Sequence, residues 1–189
     1  MNIRLTMLTA ACALALAGCG DKSTPTAEPE AAPPATETQP APAAEPAAAP
    51  EAPAEVKAAV VADCSTEIHG SDAMQFDVNS ITVPASCTDF TIKLTHPGTM
   101  PVAAMGHNVV IAAQADMAGV AADGIAAGVA GDYVKAGDTR VIAHTKLIGG
   151  GENTSVTFPV AKIKDGGPYE FFCSFPGHSS MMKGTIAVQ

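Results

Sequence analysis

The stretch Cys173-Ser174-Phe175-Pro176-Gly177-His178-Ser179-Ser180-Met181-Met182 places a thiol, an imidazole and two thioethers close together near the C-terminus. Far upstream, Met105-Gly106-His107-Asn108 offers a second imidazole. Two His, one Cys and a weak axial Met are the ligands of a trigonal blue-copper centre. Thiolate and thioether suit Cu(I), while imidazole tolerates both oxidation states, so one set serves both without large rearrangement. Each residue has a plainer use. A lone Cys in a strand is a small buried hydrophobe, and Met181 and Met182 can fill a core. The spacing Cys-x4-His-x3-Met with Gly-His-Asn upstream favours the metal. Structural zinc sites recruit more Cys or His and rarely Met.

These residues need a scaffold that turns them toward one point. From about Ala62 the sequence alternates as strands do. Phe90-Thr91-Ile92-Lys93-Leu94 puts three apolar side chains on one face, and Val156-Thr157-Phe158 alternates likewise. Residues 107–112, 140–145, 169–173 and 185–188 are further strand candidates, punctuated by Pro97-Gly98, Gly149-Gly150-Gly151 and Asp165-Gly166-Gly167-Pro168. Several short strands with long connections predict an antiparallel sandwich. Residues 116–130, rich in Ala and carrying Met117, Val120 and Ile125, read as a helical insertion interrupted by glycines.

The N-terminal third has a different character. Arg4 followed by the apolar run Leu5 to Ala17 reads as an export signal over residues 1–18. The run is about 13 residues, short of the ~20 that cross a bilayer. It closes on Leu16-Ala17-Gly18-Cys19, a lipobox in which Cys19 becomes the lipidated first residue. Residues 19–61 are dominated by Ala, Pro, Glu and Thr, with too few large apolar residues to offset the entropy of ordering. They read as a disordered spacer, able to reach on the order of 120 Å in extended form. Export implies an oxidising compartment. Of the five cysteines, Cys12 leaves with the signal and Cys19 carries lipid, so Cys64, Cys87 and Cys173 remain. One disulfide plus one reserved thiol is the simplest account, although sequence leaves several pairings open. Cys64 and Cys87 are not arranged as C-x-x-C, which favours a structural bridge over a redox pair. A net charge of −9 argues against nucleic acid as a partner. Neither a Ser/His/Asp set nor a second metal site is visible, so an enzyme is disfavoured.

Residues 62–189 resemble the azurins along their whole length. Matching stretches include Met74-Gln75-Phe76, Leu94-Thr95-His96-Pro97-Gly98, Met105-Gly106-His107-Asn108, Ala115-Asp116-Met117, the run from Val141 to Gly149, and Phe171-Phe172-Cys173-Ser174-Phe175-Pro176-Gly177-His178. The resemblance implies an all-β, eight-stranded Greek-key sandwich of cupredoxin type with one helical insertion. It implies one type 1 copper held equatorially by His107, Cys173 and His178. Met182 would be the long axial ligand, opposite the carbonyl of Gly106. Asn108 and the backbone N–H of Phe175 would support the Cys173 sulfur, and Cys64–Cys87 matches the family's disulfide. The His178 ring edge would lie in an apolar docking patch of Met74, Met100, Ala104, Met105, Ile125, Phe175, Pro176 and Met181. His96 occupies a position that lies near the site and responds to pH in the family. The plainer reading of His96 is a buried, hydrogen-bonded histidine, and His69 and His144 read as surface residues. One departure is Val109, where azurins often carry tryptophan. With the lipobox and spacer, the chain resembles a lipid-modified azurin of a Gram-negative bacterium. It would pass single electrons among redox proteins such as c-type cytochromes, an oxidase, a nitrite reductase or a peroxidase. The alternative function is copper storage or delivery. Gly20 after Cys19 points to the outer membrane.

Overall fold

The computed structural model describes residues 55–189. The signal, Cys19 and the spacer up to residue 54 lie outside the described residues. Among the described residues ten strands form: β1 (Val61–Ala62), β2 (Ser65–Ser71), β3 (Gln75–Phe76), β4 (Ser80–Val83), β5 (Asp89–Thr95), β6 (Val110–Ala113), β7 (Val141–His144), β8 (Asn153–Pro159), β9 (Tyr169–Phe172) and β10 (Lys183–Val188). Setting aside the two-residue β1 and β3 leaves eight, in the two-sheet cupredoxin arrangement. One sheet runs β1-β2-β5-β8, with β3 paired to β2, and the other runs β4-β10-β9-β6-β7.

The sandwich is as expected, but two of its strand pairs are parallel. β2 lies parallel to β5 and β10 parallel to β4, while the remaining pairs are antiparallel. The chain crosses between the sheets from β2 to β4 and returns at β5, so a strand rejoins its own sheet beside one of the same direction. Local alternation carries no information about that choice.

The core lies between the sheets. Phe90, Ile92 and Leu94, the alternating side chains of β5, meet Ile111, Phe171 and Ile186 from the other sheet, all at 1% exposure or less. Full burial of one such side chain contributes roughly 1.5–3 kcal/mol. In β6 and β9 both faces are covered, so Val110, Ile111, Phe171 and Phe172 read as unbroken apolar runs. The outer face carries a second cluster of Val110, Ala112, Val120, Val134 and Phe172. Val120 comes from α2 (Met117–Gly124), the expected insertion, which is flanked by 3-10 turns at Gln114–Asp116 and Ile125–Ala127. A single helical turn, α1 (Val102–Met105), precedes Gly106.

Cys64 and Cys87 are joined by a disulfide, and Cys173 is the free, buried thiol among the described residues. The bridge encloses β2, β3 and β4. Residues 55–61, assigned to the spacer from composition, are hydrogen-bonded to the domain. Ala58 bridges Ser80 in parallel, and Val61 pairs with Thr66.

Candidate metal centre

His107, Cys173 and Met182 sit beside strands, and His178 lies in the loop between β9 and β10. His107 precedes β6 and is fixed by paired backbone bonds to Ile148: its N–H donates to the Ile148 carbonyl at 2.9 Å, and its carbonyl accepts the Ile148 N–H at 2.9 Å. Cys173 follows β9, and its N–H donates to the Met182 carbonyl at 2.9 Å, closing the loop that carries His178. Inside that loop Gly177 adopts φ +85°, a conformation glycine takes without steric cost. The turn brings the His178 N–H to the Phe175 carbonyl at 3.0 Å and the Met182 N–H to the His178 carbonyl at 2.8 Å.

The result is a convergence of donors. The ligand atoms of His107, Cys173 and His178 all lie within 4.8 Å of one another, and all three residues are buried. The Cys173 sulfur is 3.6 Å from His178 Nδ1 and 3.8 Å from the Gly106 carbonyl oxygen. His107 Nε2 lies 2.9 Å from the Ser71 carbonyl, an obligate acceptor, so Nε2 carries the hydrogen and Nδ1 is the bare nitrogen. That Nδ1 is buried without a partner. A buried orphan lone pair facing a thiol and a second imidazole suits a soft cation, and the residues present fit copper. Met182 is fully buried in the same loop, whereas Met181 is 56% exposed.

The surroundings hold this geometry. The Asn108 amide donates to the Asp132 carbonyl at 2.7 Å and to Ser174 Oγ at 2.8 Å, and its Oδ1 accepts the Ser174 N–H at 2.9 Å. It therefore ties the residue after His107 to the residue after Cys173. A Cβ at Gly70 would come within 2.9 Å of the His107 ring, so β2 must be bare there for the imidazole to pack. The Phe175 ring lies 4.5 Å from His178, centroid to centroid. His96 is fully buried, stacks 4.4 Å from His107 and bonds Asp72 through Nε2 at 2.9 Å. His144 is exposed, and His69 is paired with Asp77 at 2.8 Å. Sequence reasoning missed Ser71, Asp132 and Ser174. Ser71 and Asp132 act here through backbone carbonyls, which leave no side-chain signature.

Burial sets the protonation of the metal-free site. It pushes the Cys173 thiol up to about 11, while the backbone N–H groups of Asn108 and Phe175 pull it back toward the thiolate. Desolvation holds His107 down at about 4, partly opposed by its bond to Ser71, and burial also lowers His178. At neutral pH both imidazoles are therefore neutral and the thiol is protonated. Binding of copper should release about one proton per ion near pH 7.5. Calorimetry in two buffers of different ionisation enthalpy measures this, and release of none or two would contradict the assignment.

The family comparison agrees with this donor set. Residues 62–189 match the plastocyanin/azurin family of copper binding proteins. The chain belongs to that family. It is 59% identical to the azurin of Pseudomonas denitrificans over 128 residues, covering 68% of this chain and all of that protein. It is 60% identical to the azurin of Alcaligenes faecalis over 123 residues, 65% of this chain and 96% of the other. The azurin of Bordetella pertussis is 57% identical over 127 residues, 67% of this chain and 85% of its own length. Copper is thus the cofactor, and the cluster of His107, Cys173 and His178 is the site for a single ion. Val109, the departure from the usual azurin tryptophan, is fully buried and hydrogen-bonds Thr145 through its N–H at 3.0 Å.

Proposed function

We propose that this protein is a blue-copper carrier of single electrons, anchored to the outer membrane by lipid on Cys19 after removal of residues 1–18. The observation that carries the redox reading is the preformed cluster of three buried donors. Bound there, copper alternates between its two oxidation states and supplies one electron per cycle. The protein contributes rigidity, since ligands held by strand pairing and by Asn108 need not move when the charge changes. Met182 would add its thioether to the three donors that hold the ion, and the Gly106 carbonyl, 3.8 Å from the Cys173 sulfur, would lie beside it. The N–H groups of Asn108 and Phe175 direct hydrogen bonds at the sulfur. Full burial also favours retention over delivery, because an ion handed to another protein has to be reachable.

Electrons would pass through the edge of His178, which is 3% exposed. The docking surface is assigned to Met74, Met100, Ala104, Met105, Ile125, Phe175, Pro176 and Met181. Met100, Ile125 and Met181 are among the exposed large apolar residues. Adaptable, sulfur-rich apolar surface suits transient encounters that bury little area. Partners of this kind include c-type cytochromes, an oxidase, a nitrite reductase or a peroxidase in the periplasm. Among the described residues no helix is long and apolar enough to cross a membrane.

The test is electron exchange between the copper-loaded chain and a c-type cytochrome, with copper content measured before and after. Exchange without copper loss supports the carrier, and transfer of the ion itself supports delivery. Met105→Glu should slow the exchange at least about tenfold by placing an unpaired charge in a desolvated contact, with the visible spectrum unchanged. An unaltered rate would remove the patch from the assignment.

A further inference from the structure

Asp132 belongs to no strand and supplies no ligand, yet it is bonded to both arms of the copper site. Its carbonyl accepts the Asn108 amide at 2.7 Å and the Ser174 hydroxyl at 3.5 Å. Asn108 directly follows His107, and Ser174 directly follows Cys173. The side chain makes a separate bond. Its Oδ1 accepts the Leu147 N–H at 2.7 Å, at the short end of the range for such bonds.

Leu147 is where that second bond reaches the metal. The next residue, Ile148, exchanges both of its backbone bonds with His107. The Leu147 side chain covers Gly106, where an added Cβ would come within 2.9 Å of Leu147 Cδ2. Anchoring the Leu147 N–H therefore holds the segment that holds His107. Tyr133 carries the same loop to the remaining imidazole. Its ring meets Phe175 edge-on at 5.1 Å, and Phe175 lies 4.5 Å from His178, centroid to centroid. The backbone here is unusual. Asp132 and Tyr133 take φ 57° and φ 51°, two left-handed residues in succession. Asp visits that region more readily than most residues, and a bulky Tyr rarely does. Such strain persists where the surroundings over-determine it, and it gathers at functional sites.

We propose that Asp132 is a positioning residue for electron transfer, whose side chain braces the His107 arm through Leu147 while its carbonyl braces the Cys173 arm through Asn108 and Ser174. Cu(II) left to itself prefers tetragonal surroundings, whereas soft donors favour Cu(I). Ligands free to follow those preferences would have to rearrange at every passage of an electron. A single residue bonded to both arms keeps them in register when the charge changes. The carbonyl contact is available to any residue at position 132, because every residue has a carbonyl. The bond to Leu147 needs a side-chain acceptor, so one position separates the two. The inference rests on the carrier reading above.

Three full-length chains test it: the wild type, Asp132→Asn and Asp132→Gly. Asn keeps an oxygen acceptor and tolerates the left-handed backbone. Gly takes the same backbone at no steric cost but offers no acceptor. In the metal-free chains the Leu147 amide should exchange with solvent roughly tenfold or more faster in Asp132→Gly than in the other two. After copper loading, Asp132→Gly should bind the ion about tenfold more weakly, and electron self-exchange should slow roughly threefold or more. In self-exchange a cuprous copy gives one electron to a cupric copy, so the reaction needs no other partner. Asp132→Asn should match the wild type in all three readings. Measurement well below the melting transition keeps a mere loss of stability from moving them. Equal Leu147 exchange in wild type and Asp132→Gly would overturn the proposal, as would wild-type affinity and self-exchange in Asp132→Gly. An Asn variant that behaves like the Gly variant would also overturn it, because the effect would then belong to the charge and not to the bond. Failure of the carrier reading is separately visible. The wild type itself would then take up no copper or show no self-exchange, while the metal-free amide exchange would still report on the brace.

Discussion

Cys173→Ser should abolish the intense visible absorption of the copper-loaded protein and weaken copper binding by a hundredfold or more. Loss of a supporting group around a metal ligand typically costs about 10- to 100-fold in affinity, and here the soft anionic ligand itself is removed. A buried serine hydroxyl has little tendency to ionise, and it is a hard donor poorly matched to Cu(I). The fold should survive. The backbone bonds that shape the loop, from Cys173 N–H to the Met182 carbonyl and from Ser174 N–H to Asn108, do not use the sulfur. Metal-free stability should therefore change by about 1 kcal/mol or less, since the thiol's contacts with His178 and Gly106 are long, at 3.6 and 3.8 Å, and a serine oxygen can accept the Asn108 and Phe175 N–H groups that the sulfur accepts. Copper titration followed by absorbance, beside thermal melting of the metal-free chain, separates the two effects. A serine variant that stays intensely blue would exclude Cys173 as the ligand.

Replacing Cys64 and Cys87 together by Ala should destabilise the domain by roughly 3.5 kcal/mol and lower its melting temperature by about 10–15 °C. The two residues are 23 apart in sequence. Their bond restricts an unfolded loop that would otherwise sample many conformations. Cys87 is 6% exposed and packs with Phe90 and Val160 in the core cluster, so loss of the sulfurs also thins the packing. The copper spectrum should be preserved below the transition, because the bridge joins the start of β2 to the approach of β5, away from the loop of Cys173. Denaturant melts of the two proteins measure the difference. A loss below about 1 kcal/mol would mean that the loop is already restricted in the unfolded chain.

Several features were legible in the residues. The thiol and imidazoles of the centre stand in recognisable spacing because Cys173 and His178 share one loop, with Met182 closing it. The alternation of Phe90, Ile92 and Leu94 named β5 and its buried face, and the Ala-rich insertion named the helix. β2 was not legible. In Ser65-Thr66-Glu67-Ile68-His69-Gly70-Ser71 the inward positions are Thr66, Ile68 and Gly70, only one of them a large hydrophobe. Gly70 looks like a strand breaker until the His107 ring is seen to need its space. The ordered segment 55–61 was likewise hidden, because Ala, Val and Lys beside a Pro-rich stretch carry no periodicity. Its anchor is Asn79, more than twenty positions away.

Sequence by itself determined the chemistry: which soft and borderline donors are available, which cysteines are left to bridge, and which runs alternate toward a core. These are properties of residue type and short-range spacing, and they survive without coordinates. Tertiary structure alone decided the direction of the strands, the bare nitrogen of His107, the triple grip of Asn108 and the pairing of residues 55–61 with the domain. Each of those depends on a partner far along the chain, often a backbone carbonyl that every residue possesses. Only the folded path of the backbone can say which carbonyl it is.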